Sequence, residues 1–459
     1  MAVLVLLQFP TVQTSIIKSI TDSVSDKLDG KISIGKVYYL FFNKLILTDV
    51  SITSAQSSPL LDSLKKNFNH TDTLLSCNKV SLTFSTSDLA TLDLRIKKVV
   101  LEEGEFNLFN EREIDNERYS NLDRIFKRDK NRQKDTTDGI DLKMLASSVK
   151  ISDFRFRLNN PFKETFKGDS IINFADLDIT GINVNISNVK LENDTLYATV
   201  RNISGKDKSG FRLNTLTGNL KIWNRQALLT DLIIEDAYST VRGKYFYMKY
   251  NSSKDFKEYV DLVEMGLSSQ DSYLSFKTIG RITPTLYNSN MAMYVTGEVE
   301  GPVKDLRSES IRISSVTGQT FLDIAVRLIG LPDVRSAMAV AEINNGYTTT
   351  NDVSRIVSSI NNTPKKKLFQ ILSPFEQYNV YGTLTGLLND FVGDIEIQSS
   401  VGVANVDLLF RDEPGDRGQY FSGHVSTDQF NIGQIIQTPI LGHVTVDATV
   451  EAKIAKEWY

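Results

Sequence analysis

The sequence predicts a mainly β protein: an elongated, curled β-sheet whose apolar face forms a hydrophobic groove, with an N-terminal amphipathic helix and a few short helices. Three observations predict it. Apolar and polar residues alternate with period two in short runs along most of the chain, as half-buried strands require. Helical periodicity is confined to a few short stretches. At about 6–8 residues per strand plus a turn, a chain of 459 residues holds roughly 25–35 strands, far more than one sandwich uses. Set side by side at about 4.8 Å, such a meander runs on the order of 100 Å. Its apolar face is buried only if a second sheet covers it; otherwise it stays open to something apolar.

The elements follow in order. Ala2 to Leu7 form an apolar run closed by Gln8, Phe9 and Pro10, far short of the roughly 20 apolar residues that span a bilayer. It lacks the charged start and cleavage site of a signal peptide. Two readings stay open: a buried N-terminal strand or short helix, or the last third of a membrane anchor that begins upstream. Val12, Ile16, Ile20, Val24 and Leu28 then recur every fourth residue, an amphipathic helix ended by Gly30. Period two follows. Ile32, Ile34 and Val37, then Leu45, Leu47, Val50 and Ile52, read as short strands parted by turn residues such as Asp49. Val80 to Phe84, Leu92 to Ile96, Val149 to Ile151 and Phe154 to Leu158 continue the pattern.

Residues 111–135 break it, with 15 charged residues in 25, and read as a solvated loop or short mobile helix that Leu122, Ile125 and Phe126 pin down. Alternation resumes in Leu177 to Ile179, Ile182 to Ile186, Leu196 to Val200, Leu220 to Trp223, Tyr245 to Tyr247 and Met291 to Val295. A short helix interrupts it at Asp255 to Gly266, where Phe256, Tyr259, Val260 and Val263 are helically spaced, and another at Asp352 to Ile360. The chain returns to strand, ending in Val444 to Val450. The organisation is an anchor remnant plus helix over 1–30, a β segment over 31–110, a charged flexible loop over 111–140, a β-groove segment with a short helix over 141–305, and its continuation with a helical insertion over 306–459.

Chemistry is sparse. With 52 Lys and Arg against 56 Asp and Glu the formal charge is −4, which lacks the basic face that nucleic acid demands. The lone Cys77 allows neither an internal disulfide framework nor a cysteine zinc cage, and His70, His424 and His443 leave little for metal or acid–base work. No phosphate-loop, dinucleotide, zincin or nucleophile-elbow pattern occurs. Glu102 with Glu103, and Asp390 with Asp394, sit in turn contexts. The expectation is no enzyme, no cofactor, no metal, no nucleic acid and no small-molecule substrate.

Glycine placement is more specific. Val295 to Leu306 reads strand, G-x-V-x-G-P-V-x-D-L; Gly318-Gln319-Thr320 precedes Gly330-Leu331-Pro332-Asp333; then come Gly382-Thr383-Leu384-Thr385-Gly386-Leu387-Leu388-Asn389-Asp390-Phe391 and Phe430-Asn431-Ile432-Gly433. These glycines supply turns and close approach between strands. In this order, with Leu7-Gln8-Phe9-Pro10 before the amphipathic helix, Leu28 to Val37, Leu45 to Ile52, and Asn121-Leu122-Asp123-Arg124-Ile125-Phe126 in the charged loop, the chain resembles the N-terminal portion of the TamB proteins, Bacteroidetes type, of the wider AsmA-like group. The resemblance runs over nearly the whole chain through individually degenerate motifs. The anchor is incomplete here, and the family's further strand array and terminal domain do not appear.

The resemblance implies a β-taco groove, anchored in the inner membrane of a Gram-negative envelope and lying in the periplasm. It would pass membrane phospholipid toward the outer membrane and, with a β-barrel partner of the TamA/BamA type, support outer-membrane protein assembly. Residue chemistry agrees, since acyl chains must be kept from water at about 0.8 kcal/mol per CH₂. The expected lining is Val80, Leu82, Phe84, Phe154, Phe156, Leu158, Ile182, Val184, Ile186, Val295, Val444, Val446 and Val450. The competing expectation is a non-transporting β-rich structural or adhesive protein in which these residues plug closed cores.

Overall fold

A computed structural model describes residues 30–40, 43–54, 73–85, 96–114, 117–125, 146–161, 170–281, 287, 289–331, 336–361, 376–387, 390–413, 418–435, 438, 440 and 442–454. The expected membrane run and amphipathic helix before Gly30 lie outside them, as do residues 126–145. The protein is mainly β with a few short helices. Two compact units divide the chain: Met1–Asn224 with Ile233–Ala237, and Arg225–Leu232 with Tyr238–Tyr459.

The first unit carries β1 (Gly30–Ser33), β2 (Lys36–Leu40), β3 (Lys44–Ser54), β4 (Thr73–Phe84), β5 (Ile96–Ile114), β6 (Glu117–Ser120), α1 (Asn121–Ile125), β7 (Ser148–Asn159), β8 (Asp176–Glu192), β9 (Thr195–Asp207) and β10 (Arg212–Trp223). β1 and β2 both pair with β3, and β3, β4 and β5 form an antiparallel meander. β5 then pairs with β7 in parallel, before β7 to β10 resume the antiparallel order. A parallel neighbour requires a crossover, and the charged stretch supplies it. That stretch holds the end of β5, β6 and α1 where a solvated loop or short mobile helix is expected; the short helix is there, and the strands are not foreseen.

α1 is fixed by a polar side chain. Ser120 Oγ accepts from Asp123 N at 3.3 Å while Asp123 accepts from Ser120 N at 3.0 Å, a reciprocal cap at the helix start. Asn121, 2% exposed, donates to Asn107 O at 2.8 Å and accepts from Phe109 N at 2.9 Å, so its amide imitates a neighbouring strand along β5. Ile125 is fully buried, whereas Leu122 is exposed and Phe126 lies outside the described residues.

The strands are longer than the sequence suggests because the turn signal at Asp49 and the break at Asp153 lie inside continuous strands, the second as a bulge. Val149 to Ile151 and Phe154 to Leu158 are one strand, β7, with Asp153 in the left-handed region at φ 52°. Between the pairs Ile151–Val184 and Phe154–Ile182, β7 spends two residues and β8 one. The extra residue keeps Ile151 and Phe154 on the same face despite their spacing of three. Asp49 at φ 52° and Glu103 at φ 53° sit within β3 and β5 in the same backbone conformation. Short polar side chains that hydrogen-bond locally lower the cost of this conformation for Asp and Asn.

The second unit runs through β12 (Thr240–Lys249), a 3-10 turn (Ser253–Glu258), α2 (Tyr259–Leu262), β13 (Glu264–Ser275), α3 (Phe276–Ile279), β14 (Ala292–Gly301), β15 (Asp305–Ser315), β16 (Phe321–Ile329) and β17 (Met338–Thr349). It continues with α4 (Thr350–Asn361), β18 (Gln377–Leu387), β19 (Asp390–Ser399), β20 (Gly402–Glu413), β21 (Gly418–Asn431), α5 (Ile432–Ile435) and β22 (His443–Ile454). Each strand from β12 to β22 pairs antiparallel with the next. The remaining strand, β11 (Gln226–Asp236), has its residues divided between the units.

α4 covers the helix expected at Asp352 to Ile360, and the one expected at Asp255 to Gly266 is the shorter pair of the 3-10 turn and α2. α4 is held by Asp352, 3% exposed, whose carboxylate accepts from Ser315 Oγ at 2.5 Å, Thr317 Oγ1 at 2.9 Å and Thr320 Oγ1 at 2.9 Å. Burial alone would raise its pKa; the hydroxyl donors outweigh that and hold it below the ordinary carboxylate value.

Candidate functional site

Cross-strand partners share a face of a sheet, so the register shows which side chains meet. In the first unit one row runs Val37, Leu47, Val80, Leu101, Ile151, Val184 and Ile203 over β2, β3, β4, β5, β7, β8 and β9. A second runs Tyr39, Leu45, Leu82, Val99, Val149, Ile186 and Val200. Beyond the bulges come Leu75, Phe106, Phe156 and Ile179, then Leu108, Leu158 and Leu177. Phe106 and Phe156 stack at 6.1 Å between centroids and 9°.

All nine residues expected in this unit, Val80, Leu82, Phe84, Phe154, Phe156, Leu158, Ile182, Val184 and Ile186, therefore share one face. Phe84 stands opposite Ile96, and Phe154 opposite Ile182 and Gly104. A Cβ at Gly104 would lie 2.5 Å from the Phe154 ring, so the glycine leaves the space that the ring fills. Phe154 is buried at 7% exposure; the other eight are half-buried.

The second unit repeats the arrangement. Ile311, Ile324, Ile343, Gly382, Ile395, Val406, Val425 and Ala448 form one row over β15 to β22. Phe391, Phe410 and Phe421 form part of a neighbouring row, with successive centroids 5.0 and 5.1 Å apart. Val295 joins this face through Ile313 and Leu322. Val444 stands opposite Phe430 and Val446 opposite Thr427, both half-buried. Val450, opposite Gly423, is 49% exposed.

The opposite faces are charged. Lys79 meets Glu102 at 2.5 Å, Arg155 grips Asp178 through two bonds of 2.8 and 2.6 Å, and Arg157 meets Glu105 at 2.9 Å. In the second unit Lys249 meets Glu264 at 2.9 Å, Arg307 meets Glu300 at 2.8 Å and Arg327 meets Asp305 at 2.7 Å. The Arg155 hydrogen bonds hold the Asp178 carboxyl below its ordinary pKa, and those of Arg327 do so for Asp305. In each unit the sheet thus has one apolar side and one laced with ion pairs.

In both units the substantial contacts between described strands are those of lateral neighbours in the sheet. Few large apolar side chains are fully enclosed among the described residues, Leu74, Ile125, Val263 and Val401 being the largest. The rows stay half-accessible because their packing comes mainly from the strand on either side.

Sequence reasoning missed Leu47, Leu101, Ile151 and Ile203 in the first unit, and Ile311, Ile324, Ile343, Ile395, Val406 and Val425 in the second. Alternation marks them as strand residues; only the register puts them beside the expected ones. Among the described residues no helix is long and apolar enough to cross a membrane, and no group of His, Cys, Asp and Glu is placed to hold a metal ion. Compared with protein-family models, curated proteins and solved structures, the chain gives no match.

Proposed function

We propose that this chain is an envelope lipid-transfer protein whose apolar sheet faces form a groove that holds phospholipid acyl chains. One observation carries the reading: apolar rows cross seven strands of the first unit and eight of the second, on faces that stay half-accessible. Such a row offers an acyl chain a continuous dry contact, worth about 0.8 kcal/mol for each CH₂ withdrawn from water. It contains no residue that selects a head group, so many phospholipids would be held alike. The ion pairs of the other face keep it in water.

The TamB-like motif order supports placing this activity in the periplasm of a Gram-negative cell, tethered to the inner membrane. It further suggests a β-barrel partner of the TamA/BamA type and a role in outer-membrane protein assembly. On this reading no catalytic step is needed, because the work is the sheltering of apolar surface.

Mass spectrometry of lipid that co-purifies with the full chain in mild detergent tests the reading. Phospholipid should be present, and should fall several-fold in Val184→Asp and Val406→Asp, which set a charge in the middle of a row in each unit. Repeated absence of phospholipid from the folded wild-type chain would instead favour a structural or adhesive β-protein.

A further inference from the structure

The ladders of the second unit lose register along one line. Gly243, Ser269, Gly297, Ile311, Ile324, Ile343 and Gly382 stand in a lateral row over β12 to β18, and each ladder between these strands breaks at or beside that row. Between the pairs Thr240–Tyr273 and Gly243–Ser269, β12 spends two residues and β13 three. Between Ser272–Val295 and Ser269–Gly297, β13 spends two and β14 one. Between Gly297–Ile311 and Glu300–Arg307, β14 spends two and β15 three. The breaks continue beside Ile311, Ile324 and Ile343 as far as β18. The same row then runs on through Ile395, Val406 and Val425, and the ladders from β18 to β21 hold register throughout.

The line is pliant in its backbone and in its hydrogen bonds. Gly297 and Gly382 sit at φ 149° and 135°, and a Cβ there would stand 2.5 Å from Ser310 O and 2.0 Å from Asp394 O. Where ladder bonds lapse, side-chain hydroxyls take their place. Arg242 N donates to Ser272 Oγ at 2.9 Å, Asp271 N donates to Thr296 Oγ1 at 3.0 Å, and Ser269 Oγ donates to Ser272 Oγ at 2.7 Å. Ser308, 7% exposed, has an Oγ with no hydrogen-bond partner among the described residues. A bulge bends its strand and interrupts the ladder, a hydroxyl turns to suit its partner, and glycine has the widest range of φ. Resistance to bending is therefore lower along this row than in β19 to β21, where the ladders are unbroken.

We propose that the row is a hinge, about which the two ends of β12 to β18 swing and so change the width of the apolar face. The swing itself is independent of the lipid reading. Its use, to admit an acyl chain when the face is wide, rests on that reading.

Double electron–electron resonance on the full chain tests the hinge, with Cys77→Ala and spin labels on introduced cysteines. Lys304→Cys with Val316→Cys places labels at the two ends of β15, across the row; Asp390→Cys with Ser400→Cys does the same for β19, where register is kept. Both separations, roughly 30–40 Å at about 3.3 Å per residue, are measurable. Freezing traps the states of a hinge, so in lipid-free chain the β15 pair should give a distance distribution at least about twice as wide as the β19 pair. Thermal unfolding of each labelled chain checks that it is folded. Hydrogen exchange on the unsubstituted chain is the second measurement: paired amides of β14 and β16 should exchange about tenfold faster than those of β19 and β20. Equal widths in folded chains, or equal protection in the two sets of strands, identify a fixed bend and overturn the proposal. Absence of co-purified phospholipid leaves both measurements unchanged, so the hinge and the lipid reading fail separately.

Discussion

Two regions of the molecule depart from extended backbone by different local means, β7 of the first unit through a bulge and β18 of the second through in-register glycines. In β3, β5 and β7 of the first unit, Asp49, Glu103 and Asp153 adopt φ of 52°, 53° and 52°. At Asp153 the residue is an extra one relative to β8 and exposed, its N–H donating to Asn183 Oδ1 at 3.3 Å, while Asp49 and Glu103 stay in register with β4. In β18 of the second unit, Gly382 and Gly386 stay in register with β19 at φ of 135° and 146°. A Cβ at Gly382 would lie 2.0 Å from Asp394 O, and one at Gly386 2.4 Å from Asp390 O. A bulge removes strain by adding chain, so many residue types can occupy it. At Gly382 and Gly386 the in-register departure brings backbones together at a φ that L side chains rarely adopt, and only the residue without a Cβ fits there.

The largest expected effect breaks this comparison on the glycine side. Gly382→Ala should destabilise the second unit by on the order of 3 kcal/mol or more, through steric overlap and an unfavourable φ together. Hydrogen exchange should show lost protection over β17 to β19 and unchanged protection in β3 to β5. If β18 tolerates alanine within the error of urea unfolding, the close approach does not exist.

Next in size is the Asp352 anchor of α4. Asp352→Ala removes a buried acceptor shared by three hydroxyls and should cost about 2 kcal/mol. The carboxyl pKa is depressed in the folded chain, so its stabilisation is complete above the unfolded value of about 3.9 and is lost as pH falls through the lower folded value. Unfolding curves of wild type and variant should therefore converge only in that acid window. A gap that persists unchanged to the acid end would assign the effect to packing.

Smaller still is the paired grip of Arg155 on Asp178, which bridges β7 and β8 beside the Asp153 bulge. Arg155→Ala should cost no more than about 1 kcal/mol, since the guanidinium is 43% exposed and solvent screens the pair. The effect should shrink further in high salt. Smallest, and opposite in sign, is Asp153→Gly. Relief of the left-handed backbone should nearly balance the added freedom of the unfolded chain, leaving at most about 1 kcal/mol of stabilisation. A marked loss of stability there would show that the Asp153 side chain holds the bulge.

Much of this was legible in the chain. Period two marked Val80, Leu82 and Phe84 as one face of a strand, and the same holds for Ile182, Val184 and Ile186. Asp153 and Asp49 were misleading because a left-handed aspartate has the same local signature in a turn as inside a strand; whether the strand continues is decided by the neighbour it pairs with. The charged stretch misled differently. Its composition suits solvent, yet Asn121 finds backbone partners on β5 that lie 12 and 14 residues away.

By itself the sequence determined that the protein is built from strands with one apolar and one polar side, since alternation is a property of neighbouring residues along the chain. Only the tertiary structure decided that Val80 stands in line with Leu47, Leu101, Ile151 and Val184, that β7 lies parallel to β5, and that Gly104 makes room for Phe154. Register, crossover and close approach are set by contacts between residues far apart in the chain, whose free energies exist only once the strands have met.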